Sequence, residues 1–454
     1  MKIIVRAAAS LAPLMFAGLA QATNGYLTDA LGIKSEGLAG AGSADPEEAM
    51  IMATNPAGLA YVGERTEAGL NLFSPIRSYS TSPSLANGNG GAFTIGPNSI
   101  TSGNKIFPLP YLASEWKLDP QNTLGASLYA RGGMDTSWKG GSATFAPGPG
   151  APVTTFPGTY GDGTAGVDLM QAFFNLSIAH ANVDHTFSAG ASAVLAAQRF
   201  SARGLANFAP YTAVFAASGG TQMPTALSNN GSATAFGGGA SLGLEWHPDP
   251  HFSAALAYTS RIYMSKLTKY ADLFAGGGSF DIPANATLGL TFKPVQRVAL
   301  SLDVQEILYK DVAAVGDPIA SLFGCPTVGA GGTNIQNCLG GNHGAGFGWR
   351  DMTIYKLGMR FQATDDWTGR VGVSHGNQPI PGSEMTFNIL APGVVENHVA
   401  LGLTRRHGEN GEFNVSLTYA ANKTISGPNT FDPTQTIRLA MHQLDLGFGY
   451  AWLR

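Results

Sequence analysis

From about residue 66 to the C-terminus, apolar and polar side chains alternate in short segments, the period-two pattern of a strand with two unlike faces. In 123–131, Leu124, Ala126, Leu128 and Ala130 share one face, and Gly125, Ser127, Tyr129 and Arg131 share the other. In 298–305, Val298, Leu300, Leu302 and Val304 oppose Ala299, Ser301, Asp303 and Gln305. In 439–452, His442, Leu444, Leu446, Phe448, Tyr450 and Trp452 line one side. The pattern predicts fourteen strands, near 66–79, 107–118, 123–134, 167–180, 186–200, 234–246, 252–264, 282–293, 298–309, 349–362, 367–376, 395–405, 412–421 and 438–452.

The connectors between these segments alternate between short and long. The short ones are Asp119 to Asn122, Ala181 to His185, His247 to His251, Pro294 to Arg297, Ala363 to Asp366 and Arg406 to Gly411. The long ones cover roughly 80–106, 135–166, 201–233, 265–281, 310–348, 377–394 and 422–437. Tight turns on one side and long loops on the other mark an outer-membrane β-barrel. The expected fold is therefore all-β, an antiparallel transmembrane barrel of fourteen strands over 66–454. An even count puts both termini on the short-turn, periplasmic side. Tyr450 and Trp452 suit an aromatic girdle at that interface.

Composition agrees. Charged residues make up 12% of the 454, about half the usual share. The longest apolar run after the N-terminus is short of the roughly 20 residues of a membrane helix, so the spanning elements are strands. Lys2 and Arg6, the apolar Ala7–Leu19 and the small-x-small site Ala20-Gln21-Ala22 read as a secretory signal over 1–22. Without it, 24 basic residues face 30 acidic ones, a net −6, which gives no basis for binding nucleic acid. Cys325 and Cys338, the two cysteines, fall in one Gly-rich loop. In an exported protein they are expected to form a disulfide stapling it, with two free thiols as the alternative. No metal-ligand spacing and no cofactor motif occurs, so neither a metal nor a cofactor is expected.

Residues 23–65 do not read as wall. Five glycines, at 25, 32, 37, 40 and 42, make an irregular backbone. Asp45-Pro46-Glu47-Glu48 resembles a helix start with Asp45 as cap, Ala49–Ala53 a short helix, and Asn55-Pro56 its stop. Such a segment sits below the barrel or inside it. Some faces with polar character also carry grease. Met352 and Ile354 share a face with Arg350, Lys356 and Arg360, and Phe173 shares one with Gln171, Asn175 and Ser177. Greasy patches beside isolated cations suggest a passage for an amphipathic or apolar solute rather than a wide aqueous pore. Arg131, Arg350 and Lys356 are the candidates for a carboxylate headgroup, with Met352, Ile354 and Phe173 as apolar lining. The alternative is pairing with lumen acids such as Asp303.

Asn24-Gly25-Tyr26, Gly37 to Gly42 and above all Asn55-Pro56-Ala57-Gly58-Leu59 resemble the N-terminal plug of FadL-type long-chain fatty-acid transporters. Phe280 to Ala284, Gly346 to Met352 and Arg370 to Ser374 look like barrel segments of that family. The resemblance implies a fourteen-stranded barrel with the plug, including Asn55, Pro56 and Ala57, in its lumen. It implies passive uptake of long-chain fatty acids or similar hydrophobic compounds, with monoaromatic hydrocarbons as an alternative substrate class. A general porin or adhesion barrel with a structural plug is the competing class. Solute would first adsorb to apolar extracellular loops. Leu205, Phe208, Tyr211 and Phe215 in 204–216 are one wall, and Leu273 and Phe274 in 265–281 the other; simple loop packing is the alternative. A kink in the third strand, in such relatives a sideways exit, would fall at Gly132 and Gly133. Expected partners are the apolar solute, outer-membrane lipid and lipopolysaccharide, and the barrel-assembly machinery during biogenesis, with the chain a monomer. Relatives commonly end in an aromatic residue, and this chain ends Ala451-Trp452-Leu453-Arg454, with Trp452 as the substitute.

Gly239-Ala240-Ser241-Leu242-Gly243 matches G-x-S-x-G, but hydrolase chemistry needs that serine on a strand-to-helix elbow. Here it lies inside an alternating strand, and no enzymatic activity is expected.

Overall fold

The computed structural model describes residues 24–454 except 98 and 149; the expected signal, 1–22, and Thr23 lie outside the described residues. Fourteen long strands form the wall: β1 Arg65–Thr81, β2 Phe107–Lys117, β3 Asn122–Asp135, β4 Gly166–Ala181, β5 Phe187–Arg203, β6 Ala233–Asp249 and β7 Phe252–Thr259, then β8 Asn285–Val295, β9 Val298–Ile307, β10 Met352–Gln362, β11 Trp367–Gly376, β12 Asn397–Arg406, β13 Gly411–Asn429 and β14 Asp432–Leu453. Each pairs antiparallel with its chain neighbour, and β14 pairs β1 from Arg65 opposite Leu453 to Thr81 opposite Ile437. The sheet closes on itself and leaves no edge to satisfy in lipid.

Faces follow the alternation. On β3, Thr123, Ser127 and Tyr129 are buried. On β9, Ala299, Ser301 and Asp303 are buried while Leu300 and Leu302 are exposed. Leu176, Ile178, Leu242, Leu244, Leu401 and Phe448 belong to a continuous exposed apolar belt, which fits hydrocarbon rather than water. Trp452 is exposed, with its ring 4.8 Å from that of Tyr450.

Two strand boundaries depart from the period. The segment expected to run from 252 to 264 ends at Thr259, and Tyr263–Met264 continues as a separate short piece. The stretch 422–437, expected as a long loop, is the extension of β13 and β14, closed by Thr430 and Phe431 alone. Its outward face carries Thr424, Ser426 and Arg438. A ribbon that rises clear of lipid needs no apolar outer face, so the pattern that flags a membrane strand is absent there.

Residues 24–64 fill the space inside the ring. Asp45 does not cap a helix: Ala49–Ala53 is a 3₁₀ turn whose N-cap, Glu48, makes no side-chain cap bond. Instead Asp45 and Glu47 reach the wall. Elsewhere Ser43 donates its N–H to Asp303 Oδ2 (2.9 Å), Lys34 pairs with Glu412 (2.6 Å), and Ser188 Oγ donates to the Ala57 carbonyl (3.0 Å). At Gly37 the backbones of segment and wall touch: a Cβ there would stand 2.7 Å from the Gly402 Cα. Asn55 and Pro56 end the turn. The Asn55 side chain accepts from the Ala57 N–H (3.2 Å) and donates to the Ser43 carbonyl (3.2 Å) and Glu245 Oε2 (3.1 Å). Every polar atom of this buried amide is committed, which is why Asn rather than Ala or Leu precedes the proline.

Candidate functional site

Glycine at 132 and 133 breaks the β3–β4 ladder. Ala130 opposes Ala172 and Gly133 opposes Met170, so Arg131 and Gly132 together face Gln171. This is a bulge, with Gly132 at φ 81°. The bulge falls at the two glycines where the sequence predicts a kink in the third strand. The seam on the other side of β3 is also interrupted. The β2–β3 ladder stops at Tyr111 opposite Tyr129, although β1–β2 continues to Phe73 opposite Phe107 and β3–β4 to Asp135 opposite Asp168. Pro108 and Pro110 of β2 lie in the interrupted part and have no N–H to offer. Above it the wall is sewn up again by Gly103 N–H to the Ser137 carbonyl (2.9 Å) and Ser137 N–H to Ser102 Oγ (3.0 Å).

The chain's N-terminal arm lies behind this bulge. Gly133 donates its N–H to the Tyr26 carbonyl, 2.8 Å away. The Tyr26 ring is fully buried among Tyr309 (centroids 5.4 Å apart), Trp349 (6.0 Å) and Phe280 (6.2 Å). Tyr309 holds the arm by its hydroxyl, which donates to the Asn24 carbonyl and accepts from the Tyr26 N–H (3.3 Å). Trp349 Nε1 donates to Asn388 Oδ1 (2.6 Å), which locks its indole. These rings come from four distant segments. Three of them stood within the family-like motifs, but Tyr309 carried no sequence signal.

Of the three candidate cations, Arg131 fits best. It is buried inside the bulge, its Nε has no partner, and among the described residues it makes no ion pair. Phe173 is beside it in the wall, stacked on Tyr129 at 5.4 Å. Lys356 is buried but committed, donating to the Asp29 carbonyl at 2.8 Å. Arg350 does not face the lumen at all: it is exposed and precedes β10. Met352 and Ile354 are buried on the inward face of β10, across the ring from β3. The six candidates therefore do not form one cluster.

Charge holds the segment in the bore. Arg360 and Arg370 stand opposite each other on β10 and β11, an arrangement that repels. Glu47 lies between them, bonded to Arg370 (2.8 Å) and 3.4 Å from Arg360, while Asp45 takes Arg360 (2.9 Å) and Lys293 (2.8 Å). Burial alone would raise the Glu47 carboxyl, but Arg370 and Arg360 outweigh it and bring the pKa down to about 2. Among the described residues Glu36 has no cation: Asn71 (2.6 Å) and Ser416 (2.7 Å) donate to it, and burial lifts its pKa to about 8.

The apolar loop residues close on one another. Leu205, Phe208, Leu273 and Phe274 line one cavity of about 30 Å³ together with Leu227 and Phe347. That is room for about one water and far below a ligand pocket. Leu273 and Phe274 of the 265–281 loop thus pack against Leu205 and Phe208 of the 204–216 loop. Tyr211 stands beside the cavity, stacked on Phe431 (5.4 Å), and Phe215 is half-buried without lining it. Cys325 and Cys338 are disulfide-bonded. The next residue, Leu339, donates its N–H to the Tyr211 carbonyl (2.8 Å) and lines the cavity, so the disulfide adjoins the cavity wall. Ser241, of the G-x-S-x-G match, is a buried wall residue that accepts from Thr259 Oγ1 (3.2 Å).

The family model described as "Outer membrane protein transport protein (OMPP1/FadL/TodX)" matches residues 14–445. No curated protein matches the chain. Among solved structures, the toluene transporter TodX of Pseudomonas putida superposes with a TM-score of 0.60 at 15% identity, covering 94% of this chain and 99% of that one. A FadL homologue of Pseudomonas aeruginosa gives 0.61 at 16% identity, with 94% and 99% covered. CymD, a monoaromatic hydrocarbon channel, gives 0.54 at 15%, with 94% and 98% covered. The bulged third strand, the buried N-terminal segment and the match over nearly all the chain agree: this protein belongs to the FadL/TodX family of outer-membrane transport proteins for hydrophobic compounds.

Proposed function

We propose that the chain carries long-chain fatty acids, or amphiphiles like them, across the outer membrane by passive diffusion. Residues 23–65 act as a movable plug, both termini are periplasmic and the long loops face outside. Solute adsorbs where Leu205, Phe208, Leu273 and Phe274 now close on each other, passes into the bore, and displaces the Tyr26 arm. Displacement removes the Gly133–Tyr26 hydrogen bond and frees the bulged strand, and the solute leaves sideways beside Gly132 into lipid. The observation that carries this reading is Arg131, a buried guanidinium without an acid partner, set beside an aromatic enclosure. A buried charge left uncompensated is costly, and a fatty-acid carboxylate would compensate it.

A second reading, uptake of monoaromatic hydrocarbons, is favoured by the three rings around Tyr26, which could hold a toluene-sized ring in its place. The family resemblance to TodX and CymD points the same way. Uptake of labelled oleate and labelled toluene into proteoliposomes separates them. The fatty-acid reading expects oleate uptake that falls at least tenfold in Arg131→Gln with toluene little changed. Toluene uptake alone, indifferent to Arg131, supports the second reading. Steady ionic conductance with neither solute would leave only a porin.

A further inference from the structure

A second arginine stands at the interrupted β2–β3 seam. Arg77, on β1, is 2% exposed. Its guanidinium lies 5.9 Å from the centroid of the Phe107 ring, the first residue of β2, and Nη1 donates to the carbonyl of Asp135 (2.8 Å), the last residue of β3. It therefore bridges the seam along its inner side, where β2 and β3 no longer pair. Nη2 is buried with no partner, and among the described residues Arg77 makes no ion pair. The nearby Asp135 carboxylate is engaged by Asn104 Nδ2. A backbone carbonyl and a carboxylate that lies beyond ion-pair distance and is engaged by Asn104 leave Nη2 without a partner, and a neutral side chain could brace the same gap at less cost.

We propose that Arg77 is an anion-binding subsite at the sideways exit, which takes the carboxylate of an amphiphilic solute after Arg131 and before release into lipid. The two guanidiniums flank the stretch of β3 that has left the β2 ladder, Arg131 at its bulged start and Arg77 at its end. A single deep cation would trap a carboxylate. A second one at the far end of the same gap offers another partner, so the headgroup is not left bare in a low-dielectric wall as it moves along the seam. Phe107, Leu109 and Met134 supply buried apolar surface for the chain. This inference rests on the fatty-acid reading above.

The test is transfer of oleate and of methyl oleate, the same chain without the charge, through proteoliposomes at pH 8. Arg77→Gln is expected to slow oleate at least tenfold and leave methyl oleate within twofold of wild type, with Arg77→Lys retaining most oleate transfer. Arg77→Met, matched to the arginine stem, replaces Arg77→Gln where the latter does not fold and carries the same expectation. Equal slowing of both lipids, or of neither, overturns the proposal and leaves Arg77 a strut. If wild type itself passes methyl oleate but not oleate, the carboxylate reading of the whole channel falls with it. Normal oleate transfer in wild type and Arg77→Gln alike removes only the subsite.

Discussion

The amide of Gly133 is bonded to the carbonyl of Tyr26 at 2.8 Å, and this one contact joins the bulged strand to the N-terminal arm. The bulge frees that amide from the β4 ladder, and the arm takes it up. Removing the arm leaves a buried N–H without a partner, so the strand has reason to rearrange when the arm moves. In the proposed mechanism, opening of the exit would be coupled to displacement of the N-terminus through this hydrogen bond rather than through a distant relay.

Gly132→Ala tests that coupling. At φ 81° an L side chain is strained, and its Cβ would come within 2.9 Å of the Tyr26 carbonyl and Gln171 Oε1. The local cost is about 1–2 kcal/mol. The arm should loosen while the barrel stays folded, so amide exchange at Tyr26 and Leu27 should quicken severalfold, with β13 and β14 unchanged. Exchange at wild-type rates would mean that bulge and arm are independent.

Glu47 should be the strongest single anchor of the N-terminal segment. It neutralises Arg360 and Arg370, which face each other across β10 and β11. Glu47→Gln leaves that pair of cations exposed to each other inside the bore. Breaking a buried charge pair costs about 3–5 kcal/mol. Faster amide exchange through residues 33–53, reversed in part by also changing Arg370 to Gln, is the expected result. Additive effects of the two substitutions would show that the charges do not communicate.

The docking of this segment should weaken as pH rises. Burial holds the Glu36 carboxyl protonated up to about pH 8, whereas a free carboxyl loses its proton near pH 4.5. The docked form binds the extra proton between those values, so its advantage is full below the lower one and is lost as pH climbs through 8. Glu47, with its carboxyl depressed to about 2, acts in the opposite sense but only below its free value. Protease nicking within 24–64 is expected to rise between pH 6 and pH 9 in wild type and to be flatter in Glu36→Gln. An equal slope in both would assign the effect elsewhere.

Much of the wall was legible because a lipid-facing strand must alternate, and β3, β9 and β14 do. The top of β13 and β14 was not, since Thr424, Ser426 and Arg438 stand in water and no grease marks the face. Arg131 could be singled out as a cation on a greasy strand. Arg77 could not, because its role depends on a seam that parts between two other strands. Nor could Tyr26, Tyr309, Trp349 and Phe280 be assembled, since no periodicity links four residues spread over the chain. Asp45 and Glu47 misled in a physical way: acids before a short turn stabilise it as caps, but beside Arg360, Arg370 and Lys293 ion pairing takes them instead.

Cys325 and Cys338 should matter for the entrance and not for the barrel. The bond closes a loop of 13 residues by sequence separation, and Leu339 beyond it carries both a hydrogen bond to Tyr211 and part of the cavity wall. A loop of about that size contributes on the order of 3 kcal/mol through the unfolded state. Cys325→Ser/Cys338→Ser should leave heat-induced unfolding of the barrel in detergent gels unchanged. The 308–351 loop should become protease-sensitive, and solute should load faster, because Phe208 and Leu339 would part more readily. Thiol labelling of the unreduced wild type should find none. Unchanged loop proteolysis in the double variant would show that apolar packing of Leu205, Phe208, Leu273 and Phe274 holds the lid closed without the covalent bond.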